Sequence, residues 1–322
     1  MKKRTTYRWM GATVLLVILA FAAIYLFNLQ NRVEKAARTV DRNGPPVFSH
    51  TIYGDFDNPL DKPMDVAKIG EFIYVSDTNN KRVQVFDLAG TSIFKFGKEG
   101  EGEGEFKFPY GIAGDEKGNV YVADLYNGNI SIFDSKGKFI EYFKEMEETK
   151  AIKAPGAIRI VEEKIYVTDI EKNKIFVFNL KGEKLNEFGQ AGLENGQLRA
   201  PNAIAVDKDG NIYVSDTGNQ RIQIFDKDGQ FVRAINGSKD GVGSSTLVNP
   251  RGIAVDTRGI VYIVNNLSHF VYGFDKNGEK VFEFGGMGDQ NEQFYLPNGL
   301  VIDENDQIYI TDTLNQRVVV YY

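Results

Sequence analysis

A proline recurs along this chain at Pro63, Pro109, Pro155, Pro201, Pro250 and Pro297, with spacings of 46, 46, 46, 49 and 47 residues. Three residues before each proline stands an apolar side chain: Leu60, Phe106, Ile152, Leu198, Leu247 and Phe294. Two registers that agree in six copies mark a repeat, and a repeat of this period restricts the fold to stacked or radial arrays.

The fourth copy shows what one unit builds. "PNAIAVD", "NIYVS", "IQIFD" and "QFVRAI" each alternate apolar and polar residues, and are separated by the turns "KDG", "DTGNQR" and "DKDG". Period-two alternation between turn signals reads as four antiparallel strands in sequence. Units of four strands with apolar faces cover one another by stacking around an axis. The expected fold is all-β: a six-bladed β-propeller with four-stranded antiparallel blades.

The sixth copy stops at Tyr322 after its third strand. The fourth strand is expected from the other end of the array. "VFSHTIYGDF", Val47 to Phe56, resembles the fourth strands "TSIFKFGKEG" and "KVFEFGGMG", so the N-terminal strand should close the last blade.

Ahead of the array, Trp9 to Phe27 is a run of nineteen residues without a charge. As a helix this length nearly matches a hydrocarbon core of roughly 30 Å. Lys2, Lys3, Arg4 and Arg8 precede it and place the N-terminus in the cytoplasm. The "AFA" at Ala20–Ala22 resembles a cleavage site, but the apolar run continues past it, which favours an uncleaved signal-anchor. The expected organisation is a cytoplasmic tail at 1–8, one transmembrane helix at 9–27, a stalk at 28–46 and an extracytoplasmic propeller at 47–322. A tail this short holds no folded domain, so an inward signal would need a partner subunit.

Charge and composition narrow the chemistry. The net charge of −6 includes +4 from the first ten residues, so the body carries about −10. An acidic body is a poor match for phosphate backbones, and no nucleic-acid partner is expected. There is no Cys, and the two histidines are His50 and His269. Thiolate sites and three-histidine metal sites are excluded.

The turn between second and third strands carries fixed polar residues. An Asp ends the second strand at Asp77, Asp124, Asp169, Asp216 and Asp312, and Arg follows five residues later at Arg82, Arg221 and Arg317. The spacing sets the two side chains opposite each other at the mouth of the hairpin, as an ion pair with Asp also holding turn amides. In the fifth copy Asn265 and Phe270 replace both charges together, while Asn129 and Lys174 replace only the Arg. Residues repeated in every unit serve the scaffold. The "DKDG" segments at Asp207–Gly210 and Asp226–Gly229 read as hairpin turns rather than calcium loops, since apolar strand follows at once.

The unit "PNAIAVDKDGNIYVSDTGNQRIQIFDKDG" with its trailing "FGQAG" (Phe188–Gly192) resembles the NHL-repeat six-bladed propellers. With the N-terminal anchor, the resemblance is to a membrane-anchored bacterial-type member. It covers Val47 to Tyr322 and implies the fold, while leaving function open, because such propellers occur in enzymes and in binding proteins.

Catalytic readings fare poorly. Lyases of this repeat class that cleave peptidyl hydroxyglycine are understood to use several histidines, which this chain lacks. A lactonase-like hydrolase would need an unpaired carboxylate in the central channel, for which Asp65 is the nearest candidate. The favoured reading is a binding scaffold or sensor without its own catalysis or cofactor. The alternative is that propeller hydrolase.

A partner would meet the face formed by the loops before the first strand and between the second and third strands. Residues there that break the repeat are Met64, Tyr110, Asn202, Arg251 and Asn298 after the prolines, Tyr126 beside Leu125, and Asn265, Leu267, His269 and Phe270 in the fifth copy. Aromatic, Arg and amide groups suit a protein or glycan partner outside the membrane. The acidic loops Lys98–Phe106 and Lys144–Lys150 are expected to be solvated and mobile.

Overall fold

The computed structural model of the protein describes residues 44–144, 151–237 and 244–322. Six four-stranded antiparallel sheets follow one another along these residues. Blade 1 consists of Pro63–Ile69, Phe72–Asp77, Arg82–Asp87 and Ser92–Phe96. The first strands of blades 2 to 6 are Pro109–Gly114, Pro155–Val161, Pro201–Val206, Pro250–Val255 and Pro297–Ile302. Every repeat proline opens an innermost strand, a position in a ladder where the missing N–H is tolerated. Each innermost strand packs on that of the next blade, and blade 6 returns to blade 1, so the ring is closed.

The sixth blade is built from both ends of the array. Phe48–Ile52 lies antiparallel to Arg317–Tyr321, with Phe48 opposite Tyr321 and Ile52 opposite Val318. Val47 and Tyr322 exchange two backbone hydrogen bonds of 2.9 Å. Ile52 is buried in the cluster between blades 6 and 1, with Leu60, Val66, Ile73, Tyr309 and Val318. Full burial of an Ile side chain contributes about 2–3 kcal/mol, so this strand is both edge cover and core.

The two registers seen in the sequence have a packing reason. All six side chains three residues before the prolines are buried, from 0% exposure at Leu60, Phe106, Leu198, Leu247 and Phe294 to 3% at Ile152. They fill the seams between blades. In the trailing "FG", glycine makes room for them: a Cβ on Gly97 would stand 2.4 Å from the Phe106 ring, and Gly97 has a φ of +92°. That position takes only glycine without displacement.

The acidic loop Lys98–Phe106 departs from the expectation of a mobile segment. Lys98–Glu99 pairs in parallel with Glu105–Phe106, and the Glu105 carboxylate accepts the Gly102 N–H at 2.9 Å. The same parallel bridge recurs at Ala191–Leu198 and Met287–Phe294. The loop is therefore the standard connection between blades, held by the buried residue that begins the next unit. Of the second acidic loop, residues 145–150 lie outside the described residues. So do the tail, the apolar run at 9–27 and all but the last residues of the stalk. Among the described residues, no helix is long and apolar enough to cross a membrane.

Candidate functional site

The turn aspartate staples one face of the ring. In every blade its carboxylate, or the amide oxygen of Asn265 in blade 5, accepts the backbone N–H of the residue two before the proline. The donors are Asp61, Lys107, Lys153, Arg199, Val248 and Tyr295. This bond brings the loop before the first strand against the turn between the second and third strands, so both sets of loops share a face, as expected. Where Arg is present its Nε donates to the same carboxylate: Arg82 to Asp77 at 2.6 Å, Arg221 to Asp216 at 2.8 Å and Arg317 to Asp312 at 2.7 Å. The Nη groups reach past it to carbonyls of the loop entering the blade, such as Gln197 and Gln293. Burial pushes the carboxyls of Asp77 and Asp312 above the usual range, against the pull of the amide and Arg donors. These residues hold loops and leave no acceptor for a ligand.

The turn holds two groups that sequence reasoning passed over. Asn80, Asn127, Asn219 and Asn315, three residues after the Asp, bridge its carboxylate to a carbonyl of the preceding loop. The residue directly after the Asp clamps the next blade. Thr78, Thr217 and Thr313 donate to the proline carbonyls of Pro109, Pro250 and Pro63, and Asn266 donates to that of Pro297. Blades 2 and 3 carry Leu125 and Ile170 at this position and cannot make the bond.

The "DKDG" segments are hairpin turns, as read. Asp207 accepts the N–H groups of Asp209 and Asn211, and Asp226 those of Asp228 and Gln230.

The residues after the prolines form a ring around the channel mouth. Met64, Tyr110, Asn202, Arg251 and Asn298 all line it, with Gly156 completing the six positions. Tyr110 OH donates to Asn202 Oδ1 at 3.1 Å, and Arg251 Nη1 donates to the same oxygen at 2.6 Å and to Tyr110 OH at 3.3 Å. Asn298 Nδ2 donates to the Met64 carbonyl across the seam between blades 6 and 1 at 2.8 Å. Five candidates from five blades thus converge.

Below this ring the channel is plugged. Arg159 of blade 3 donates to both Asp65 oxygens of blade 1, at 2.9 and 3.2 Å, and to the Leu300 carbonyl of blade 6 at 3.3 Å. Asp65 also accepts the Ile112 N–H of blade 2 at 3.2 Å. The unpaired channel carboxylate required by a hydrolase is therefore not what Asp65 provides. The space open to the centre of a water molecule among the lining residues is about 10 Å³, room for one water.

A signal for Arg159 exists in the repeat. Four residues after the proline the other copies have Ala67, Ala113, Ala205, Ala254 and Val301. Two residues after it, Asp65 stands where the others have Gly111, Ala157, Ala203, Gly252 and Gly299. Each column has one large charged exception, and the two exceptions pair with each other.

The other candidates do not join the channel group. Asn265 is fully buried in the place of the turn aspartate. His269 has a left-handed φ of +63° and accepts the Leu296 N–H on Nδ1 at 3.1 Å. Phe270 stacks on Tyr272 with ring centroids 6.3 Å apart. Leu267 is exposed. Tyr126 is 66% exposed and leans on Phe108, ring centroids 4.7 Å apart. It borders a groove of about 540 Å³ between blades 2 and 3, beside Leu125, Ile152, Lys153, Glu171 and Lys172. This seam is one of the two without the blade-to-blade clamp. Among the described residues no cluster of three or more His, Asp or Glu is disposed to hold a metal ion.

Comparison with known proteins agrees with this architecture. The NHL repeat family model matches residues 198–225 and 294–321. The chain is 31% identical over 149 residues to Protein brain tumor of Drosophila melanogaster, covering 45% of this chain and 14% of that protein. It is 31% identical over 170 residues to peptidyl-glycine alpha-amidating monooxygenase B of Xenopus laevis, covering 48% of this chain and 19% of that one. The chain thus spans a small part of the length of these relatives. Among solved structures, a gluconolactonase from Xanthomonas campestris superposes with a TM-score of 0.60 at 16% identity, covering 88% of this chain and 99% of that one. At that identity the likeness shows the fold alone. The chain is a six-bladed β-propeller carrying NHL repeats.

Proposed function

We propose that this propeller is a binding scaffold whose stapled face docks a protein partner, and that its N-terminal segment anchors it in a membrane as a signal-anchor, in the manner of a bacterial-type member, with the propeller on the extracytoplasmic side. The observation that carries the binding reading is the placement of the repeat-breaking side chains. The turn aspartates and arginines are engaged with backbone, while Tyr126 and Leu267, which share one turn position with the exposed Leu314 of blade 6, present apolar groups on the same face as Arg251. Exposed Tyr beside a groove, with Arg and amide groups nearby, is the composition of a docking surface. The anchor rests on the uncharged run Trp9–Phe27 and the basic residues before it. A glycan would meet the same groups, but the apolar character of Tyr126 and Leu267 favours protein.

The alternative, a lactonase-like hydrolase, has the fold of the gluconolactonase in its favour. Against it stands the engagement of Asp65 by Arg159 and the Ile112 N–H. A general acid or base needs a carboxylate free to exchange its proton with substrate.

The test is site-specific photo-cross-linking of the full chain in its native membrane. A photoreactive residue at Tyr126 or Leu267 should give a discrete protein adduct. The same residue at Val232, exposed on an outer strand of blade 4, should give none. Equal labelling from all three positions would sink the docking-face reading. Lactone hydrolysis by the purified chain, lost in Asp65→Asn, would replace it by the alternative.

A further inference from the structure

We propose that Arg251 is an anion-binding residue at the channel mouth, and that the group it takes is a carboxylate of the docked partner. The inference deepens the scaffold reading and rests on it for the source of the carboxylate.

Arg251 differs from the four arginines of the turns and channel that are paired with carboxylates, and unlike Arg199, which is exposed at the rim, it lines the channel mouth. Arg82, Arg221 and Arg317 each donate to a turn carboxylate, and Arg159 donates to Asp65. Arg251 contacts only neutral groups, the Asn202 amide oxygen and the Tyr110 hydroxyl, both through Nη1. Among the described residues no carboxylate lies against it. The one carboxylate lining the channel, Asp65, is already engaged. The lining therefore holds two guanidinium groups and one carboxylate, a local positive charge on a body that is otherwise acidic.

The neutral partners fix the guanidinium rather than neutralise it. Asn202 and Tyr110 are each 5% exposed, and Asn202 is oriented by its own Nδ2 bond to the Ala200 carbonyl at 2.9 Å. A guanidinium has five N–H donors in a planar fork. Holding one nitrogen leaves the others pre-set for a bidentate acceptor, and fork geometry matches a carboxylate. Pre-orientation reduces the entropy lost on binding.

The probe is acetate, followed on the full chain in detergent micelles through the Arg251 side-chain Nε–H resonance, assigned by its loss in Arg251→Lys. Acetate should shift it saturably, and the neutral isostere acetamide should not. In Arg251→Gln, which lacks that resonance, acetate should no longer shift the backbone amide resonances of the neighbouring Asn202 and Gly252 saturably. Asn202→Asp supplies an internal carboxylate 2.6 Å from Nη1. It should weaken acetate binding at least about tenfold; because it also replaces the Nδ2 donor to the Ala200 carbonyl by an acceptor, a retained single cooperative melting transition, at a somewhat lower temperature, separates occupancy from misfolding. N-acetyl-aspartate amide and N-acetylglycine present the carboxylate as a side chain and as a chain terminus, and one of them should bind more tightly than acetate. If both bind no better than acetate, the partner origin is overturned in favour of a small free acid. If phosphate is preferred over acetate, or acetamide shifts the resonance equally, or Asn202→Asp binds acetate like the parent, the carboxylate assignment is overturned. An acetate site that survives alongside failed cross-linking would refute the scaffold and not the anion site.

Discussion

Removing Arg159 should expose how much of the ring depends on one ion pair. Its side chain is 14% exposed and that of Asp65 is 6% exposed, so both charges are largely out of water. In Arg159→Met the stem is kept and the guanidinium is lost. Asp65 then retains only the Ile112 N–H at 3.2 Å, and the Ile158 and Leu300 carbonyls lose their donors. Breaking one side of a buried pair costs about 3–5 kcal/mol, because the partner is left charged and unpaired. At about 2–3 °C per kcal/mol for a domain of this size, the melting temperature should fall by roughly 6–15 °C. The double variant Asp65→Asn with Arg159→Met removes both charges and leaves an amide that can still accept from Ile112. It should lie within about 2 kcal/mol of the parent, so the double change is milder than the single one. Urea unfolding followed by far-ultraviolet circular dichroism measures all three, with the slope m expected to be unchanged. A single variant that melts with the parent, or a double variant whose cost is the sum of the two singles, would refute the idea that these groups are coupled across the channel.

Deleting residues 47–57 removes the outer strand of blade 6 and the buried Ile52. It should leave Arg317–Tyr321 as an open edge and replace one cooperative thermal transition by a broad one at lower temperature, as read by calorimetry; an unchanged transition would show closure by other means. Burial lowers the pKa of His50 below its ordinary value of 6.5, and its Nε2 is buried without a partner. Because the unfolded chain binds the proton more readily, the histidine's contribution is full above pH 6.5 and is lost as pH falls through the lower folded value. Stability should therefore decline from about pH 6.5 downward, and His50→Gln should flatten that slope in urea titrations at stepped pH.

The repeat made the fold legible, because six copies of the proline and of the apolar residue before it, with the turn aspartate in five of them, constrain one another. The closing strand was legible for the same reason: one copy lacked its fourth member and another segment matched it. The channel plug was harder to see. Arg159 lies on a strand whose alternation is unremarkable, and only a column of four alanines and a valine in the other copies marks it as foreign. Its partner, Asp65, was visible as a candidate acid, but sequence position alone could not show that a residue 94 positions away crosses the lumen to meet it. Asn265 stood out as a departure from the repeat, yet its amide oxygen does the same work as the carboxylate it replaces. A change of residue type without a change of geometry is invisible to pattern reading. Thr78, Thr217 and Thr313 were hidden by the opposite fault: they look like ordinary turn residues, and their role appears only when the neighbouring blade is in place.

Building one blade from distant segments sets a timetable for biogenesis. Phe48–Ile52 emerges from the ribosome about 270 residues before Tyr321, and at about 5–20 residues per second it waits on the order of ten seconds to a minute for its mate. The wedges accumulate one by one during that interval, and by its end five of them form an incomplete arc with two sticky rims. Shielding of those rims during synthesis should therefore affect the yield of this protein separately from the depth of its final energy well.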